Sequence, residues 1–292
     1  MKRMRIVGLC LVAVCAMFAL STASASAESL PELGQCNKTA VGVGAFKNSG
    51  CTKKAGANAE EHKFEWVPLN KVVKFTSAKK LETGEAVLEN EKEEKISCKN
   101  QVQEKEGEYG PGKYEDKNVV GEFSGCEALG AECQSAGQSA GHINTTKLHG
   151  EPGVVTKNGT SEEKNIDGFD LRGQTSEFLA EFSCGPAPVL VRGGVVVKVG
   201  SVVNGVFKST ANKMLNKTTV EFIAEKKGIQ VPSEWTPNGT GVSNSKHEKI
   251  KEVLEGSLAG AAFVRSGQSL ITVQKSVGSV KVELRQCKAA GC

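Results

Sequence analysis

The chain has 292 residues, with 37 Lys and Arg against 33 Asp and Glu, ten cysteines, 33 glycines and 5% aromatic residues. That balance excludes a collagen-like, a low-complexity disordered or a wholly membrane-embedded chain, and describes a globular protein. The formal charge of +4 is carried by the first few residues, so the apparent basicity says nothing about partners.

The first element is a leader. Lys2, Arg3 and Arg5 precede an uncharged apolar run from Ile6 to Leu20, and Ala25-Ser26-Ala27 offers a small-residue cleavage site before Glu28. Residues 1–27 read as a signal-peptide helix removed on export, and residues 28–292 as a single secreted β-rich domain. The apolar run falls short of the roughly 20 residues of a membrane span, so no transmembrane segment is expected after cleavage. Without the leader, 34 basic residues face 33 acidic ones, and the lysines are interleaved with glutamates. Only Arg172, Arg192, Arg265 and Arg285 remain among the arginines, which leaves no basic stripe for nucleic acid.

Eight cysteines follow the leader: Cys36, Cys51, Cys98, Cys126, Cys133, Cys184, Cys287 and Cys292. An even number in an exported chain favours disulfides, and the lack of a CxxC removes the usual redox and zinc spacings. The shortest loops pair Cys36 with Cys51, Cys126 with Cys133 and Cys287 with Cys292, which leaves Cys98 for Cys184.

Beyond the leader, apolar residues recur at period two or in short runs bounded by Gly, Asn and Pro, the pattern of strands joined by turns. Strands are expected at 64–67, 72–75, 118–123, 142–148 and 166–171. The clearest stretch runs from Glu177 to Phe207, where Phe178, Ala180 and Phe182 alternate with polar residues before two valine-rich runs. Gly193-Gly194 between those runs suits a two-residue hairpin turn. Later strands fall at 220–223, 262–264, 270–273 and 280–284, and His247 to Leu254 is either a short helix or another strand. Segments 157–165 and 236–245 read as loops or seams between sub-sheets. Strands this regular, with no intervening helices, predict an all-β fold, an antiparallel sandwich or barrel stapled by disulfides.

Short landmarks recur along this pattern. They are Pro31-Glu32-Leu33-Gly34 with Cys36 beyond, Cys51-Thr52, Phe64-Glu65-Trp66-Val67, Leu81-Glu82-Thr83, Gly125-Cys126 with Cys133-Gln134-Ser135, the segment from Gly141 to Gly150, Phe182 to Cys184, and Val282 to Leu284. In these the chain resembles a family of uncharacterised secreted proteins from actinobacteria. The resemblance implies an exported, β-rich, cysteine-bridged protein and carries over no catalytic residue. Cys287 and Cys292 are an addition to the pattern.

The sharpest enzyme signal is Gly137-Gln138-Ser139-Ala140-Gly141, a GxSxG with His142 close behind. In an α/β-hydrolase that serine sits on a strand-to-helix elbow, but here Ile143-Asn144-Thr145-Thr146 reads as a strand. His247-Glu248-Lys249-Ile250-Lys251 opens like a zinc-protease helix and has lysine where the second histidine belongs, so it supplies one ligand where three are needed. Asp167-Gly168-Phe169-Asp170 hints at calcium in a chain whose only other aspartate is Asp116. No metal or cofactor is expected. Trp235, between Pro232 and Pro237, is the aromatic residue to test as a surface binding site.

Three functions remain. The first is a secreted, non-enzymatic protein that works by recognition or as a cell-envelope component, with an envelope polymer or a protein as partner. The second is a secreted hydrolase of envelope or environmental polymers, acting through carboxylates or Ser139. The third is an extracellular binder of a small apolar ligand in a barrel mouth, which requires one deep apolar pocket.

Overall fold

The computed structural model describes residues 30–79, 85–101, 106–112, 116–158, 164–203, 206–225, 227–238 and 248–287. The expected leader, Cys292 and His247 lie outside the described residues, as do the middle of the 157–165 segment and most of 236–245. The described chain is nearly all strand, and what closes is a barrel.

Two strands, β1 (Leu30–Lys38) and β2 (Phe64–Pro68), belong to a cap at one end. The rest builds eight staves in sequence order, each lying antiparallel to the last. The first is β3 (Val73–Lys79) with β4 (Ala86–Asn90), and the second is β5 (Lys95–Gln101) with β6 (Glu106–Tyr109). The third joins β7 (Asp116–Val119) to β8 (Glu122–Ala128), and the fourth runs through β9 (Ala131–Gln134), β10 (Ile143–Asn144) and β11 (Leu148–Thr156). The fifth is β12 (Ile166–Gly173) with β13 (Phe178–Cys184), and the sixth is β14 (Ala187–Gly193) with β15 (Val195–Val203). After β16 (Val206–Ser209), which pairs back on β15, the seventh stave consists of β17 (Lys217–Glu225) and β21 (Leu254–Leu258). Between its halves, β18 (Ile229–Val231), β19 (Glu234–Pro237) and β20 (Ile250–Lys251) lie outside the ladder of staves.

The eighth stave, β22 (Val264–Ser276), closes the ring. It is 13 residues long and unbroken, pairing with β21 and β4 through its first half and with β17 and β3 through its second. The other seven staves break at one level, so the barrel has an upper half, a lower half and a waist. Gly193-Gly194 is one of these breaks and not the hairpin turn its composition predicts. Strands β14 and β15 do not pair with each other; β14 lies between β13 and β21, and β15 between β12 and β17. Gly193 has φ +100 and lies against the Val253 carbonyl, where a Cβ would sit 2.0 Å from the oxygen. A crossing and a turn demand the same residue there. Of the expected element at His247 to Leu254, Ile250 and Lys251 form strand β20, with Ile250 opposite Trp235. On either side of the 157–165 segment β11 and β12 pair with each other, and Thr236 and Pro237 pair with β11.

Period-two patterning decides which side chains enter the barrel. In the upper half Ala86, Leu88, Ile96 and Cys98 face inward, while Glu89 and Lys95 pair outside at 3.3 Å. Arg192 and Glu255 do the same on β14 and β21, at 2.9 Å. Each of the large apolar side chains that becomes fully buried contributes about 1.5–3 kcal/mol.

The disulfides correct the expected map. Among the described residues Cys36–Cys51 is present as expected, but Cys98 is bridged to Cys126 and Cys133 to Cys184, each with Cα atoms 3.9 Å apart; Cys287 is also disulfide-bonded, and its expected partner Cys292 lies outside the described residues. Cys98 stands opposite Cys126 across β5 and β8, and Cys133 opposite Cys184 across β9 and β13. The four cysteines form one inward belt across four adjacent staves. Pairing Cys126 with Cys133 would strand Cys98 and Cys184 three strand spacings apart, about 14 Å, and a disulfide spans at most about 7 Å. The loop-entropy model gives about 3.6 and about 4.1 kcal/mol for the two observed loops.

The lower half is filled. Phe75 stacks on Tyr109 with ring centroids 4.4 Å apart, Tyr109 faces Phe169 at 6.3 Å, and the Tyr109 hydroxyl donates to Gln274 Oε1 at 2.6 Å. Below this plug, β1 pairs with β2 and with β23 (Glu283–Cys287), and Leu33, Val282 and Leu284 close the end. Arg285 fixes the 39–63 loop to this cap. It donates to both Glu283 carboxylate oxygens at 2.9 and 3.1 Å and to the Cys51 carbonyl at 2.9 Å, and lies 5.3 Å from the rings of both Phe46 and Trp66.

Candidate functional site

Besides a pocket of about 30 Å³ between the aromatic plug and the cap, two larger cavities are stacked above the plug. The larger, about 120 Å³, lies at the waist. Its floor is one pleat above the aromatic plug, where Ser77, Leu171 and Thr272 follow Phe75, Phe169 and Gln274 on the same inward faces. Its upper wall includes Ala86, Cys98, Val191 and Leu254. Among the described residues, Ser77, Thr145 and Thr272 bring side-chain polar groups to it. Small residues at the stave breaks, such as Ala86, Gly121 and Ala180, border this space. The second cavity, about 60 Å³, lies above it and reaches the hairpin tips, with Leu88 and Ile96 lining both.

The chain's three aspartates are all buried. Asp116 lies beside Tyr109 in the lower half, with burial pushing its carboxyl well up and Oδ1 without a hydrogen-bond partner. Asp167 also points inward, to the Gln286 amide of the cap, and burial raises it too. Asp170, three residues on, faces out. The two carboxyls of the suspected calcium motif are thus on opposite faces of β12 and share no cation site. Among the described residues, no group of three or more His, Cys, Asp or Glu side chains is placed to hold a metal.

Asp170 belongs to a bracket on the outer wall of the waist. Arg172 Nε donates to Asp170 Oδ2 at 2.6 Å, and its terminal nitrogen donates to Glu252, just ahead of β21. Strand β12 is in the lower half and β21 in the upper, so this arginine ties the halves together. Asp170 Oδ1 and Glu252 Oε2 both crowd Gly194, each 2.6 Å from where a Cβ would be. Burial, and then the charge of Asp170, push Glu252 up to about 7 against the pull of Arg172. The inward neighbours of this bracket, Leu171, Val195 and Leu254, line the waist cavity.

The residues singled out in the sequence lie elsewhere. Ser139 is exposed at the tip of an eight-residue excursion of the fourth stave, residues 135–142, closed by the Ser135 amide donating to the His142 carbonyl at 2.9 Å. The His142 amide donates back to the Ser139 carbonyl at 3.0 Å, so the GxSxG is a side loop turn between β9 and β10 and not an elbow between a strand and a helix. Trp235 is 1% exposed and is not a surface aromatic. It packs over Gly153, where a Cβ would meet its ring at 2.2 Å, and holds β19 on the barrel wall beside β11. Residues 248–251 of the zinc-like motif run into β20.

Sequence reasoning missed the cavity-lining residues because no motif marks them. Their signal is a set of small residues at inward positions, readable only once the staves are paired. No family model, curated protein or solved structure matches the chain.

Proposed function

We propose that the protein is a secreted, non-enzymatic β-barrel that works by holding a small apolar molecule in the waist cavity. The observation that carries this reading is the cavity itself: about 120 Å³ of space inside a closed barrel, with three polar side chains among the described residues of its lining. An apolar cavity of about 150 Å³ stays dry and takes up benzene or xenon, so an empty hollow of this size and chemistry favours a hydrocarbon guest. Three features support action outside the cytosol: the disulfides, which fit an oxidising compartment, the signal-peptide pattern of residues 1–27, and an outer wall studded with paired charges while the inner wall is apolar. That last arrangement is the reverse of a membrane barrel, whose apolar band faces outward.

The test is a calorimetric titration of the oxidised protein with benzene, a guest matched to a cavity of this size. One saturable site is expected, and Ala180→Phe, which fills the waist, is expected to abolish it while the far-ultraviolet circular dichroism stays unchanged. Equal binding by the wild type and a folded Ala180→Phe variant would remove the waist cavity as the site.

A further inference from the structure

The two cavities lie in series, and that order defines the shape of the guest. We propose that the ligand is a single unbranched hydrocarbon chain, which enters from the upper end of the barrel, passes between Leu88 and Ile96, and ends at the waist with its polar head left outside. This rests on the reading of the waist as a ligand site and adds the class of ligand and its direction of entry.

Three observations carry the inference. Leu88 and Ile96 line both cavities, so the upper space of about 60 Å³ and the waist space of about 120 Å³ are neighbours along the barrel axis, separated by two aliphatic side chains that rotamer changes can move. Below the waist the Phe75, Tyr109 and Phe169 plug lies across the barrel, and the space between it and the cap is a pocket of about 30 Å³, too small to continue the path. The upper rim is polar at Asn90 and Glu94 but also carries Leu129, which is 95% exposed on the turn between β8 and β9. An apolar side chain held in water at the lip of an apolar hole suits a first contact for a hydrocarbon.

Size follows from β22, the unbroken stave. Ser266 lines the upper cavity and Thr272 the lower, six residues apart on one strand. At about 3.3 Å per residue and a stave tilt of about 40°, the two levels are roughly 15 Å apart along the barrel axis. An extended chain of about twelve carbons covers that length. By volume, a cavity of about 150 Å³ accommodates one benzene ring, so the two spaces together hold about seven carbons. The expected guest is therefore a straight chain of about seven to twelve carbons, and a compact ring or a branched hydrocarbon would fill one level and leave the other empty.

The experiment displaces benzene from the oxidised protein, followed by calorimetry, with a homologous series of straight-chain fatty acids, and in parallel with cyclohexanol and adamantane carboxylate. Affinity is expected to rise about fourfold per added methylene, the share of a buried CH₂, up to about ten carbons and then to level off. Ser77→Leu, which raises the floor and so shortens the blind end, is expected to weaken the longest binding acid about tenfold while leaving the shortest within about twofold. Leu129→Ser is expected to slow association without changing the preferred length. Displacement that ignores chain length, or equal displacement by the compact compounds, would overturn the linear guest and leave the waist cavity as a site for compact molecules. A wild-type protein that takes up no probe and no fatty acid would overturn both readings at once.

Discussion

Replacing Glu252 by glutamine removes a carboxyl group that burial and the neighbouring Asp170 hold at a pKa of about 7 instead of 4.5. A group raised in this way prefers the folded state when protonated, so its contribution is fully present below pH 4.5 and is lost as the pH climbs through 7. Each unit is worth about 1.36 kcal/mol, so the full shift corresponds to about 3.4 kcal/mol, and partial contact with solvent reduces the expected effect to about 1–2 kcal/mol. Chemical unfolding of the wild type and Glu252→Gln across this range measures it. Their difference in stability is expected to move by about 1–2 kcal/mol in favour of the variant between about pH 4.5 and about pH 8. Any constant offset reports the altered bond to Arg172 and is independent of the slope. Asp170→Asn removes the second cause of the shift and is expected to move the wild-type transition to lower pH. A pH-independent difference, or one of opposite sign, would refute the placement of Glu252 against Asp170 across Gly194.

Asp116→Asn is expected to be more stable than the wild type at neutral pH, with the gap widening as the pH rises above 3.8 by up to about 1.4 kcal/mol per unit, because the buried carboxyl resists ionisation; unfolding at a series of pH values checks it. Arg285→Ala leaves Glu283 buried without its partner and the Cys51 carbonyl without its donor, at a cost of about 3–5 kcal/mol, and is expected to open Lys47, Lys53 and Lys54 to trypsin in native buffer. Non-reducing peptide mapping is expected to recover Cys98 joined to Cys126 and Cys133 joined to Cys184; a peptide joining Cys126 to Cys133 would refute the stave order.

The fold class was legible in the sequence because alternation is local. Ala180 and Phe182 alternate with Glu181 and Ser183 wherever their strand lies, and β13 is where that pattern places it. The stave order was hidden, since Gly193-Gly194 serves a crossing with the same residue type that serves a turn. The disulfides show the same limit. Sequence distance favoured Cys126 with Cys133, whereas the bridges follow the register of β5 on β8 and of β9 on β13, a long-range property. Trp235 looked like a loop aromatic between prolines, and only the bare backbone at Gly153 across the ladder explains its burial. The site was the least legible part because a cavity is defined by what neighbouring side chains fail to fill. The motifs that do stand out lie elsewhere: Ser139 with His142 in an exposed side loop, and residues 248–251 of the zinc-like run leading into β20.

The cysteine belt makes the barrel unequal around its circumference. Bridges join β5 to β8 and β9 to β13, and the hairpin between β8 and β9 links the two pairs, so four adjacent staves of the upper half form one covalently hooped arc. The opposite arc, β14, β21, β22 and β4, is held by hydrogen bonds and side-chain packing, with no bridge among its described residues. Breathing of the upper half is therefore concentrated on that unhooped side, where Val191, Leu254 and Ala86 border the hollow. The wall is rigid on one flank and compliant on the other, like a purse with a single hinged side.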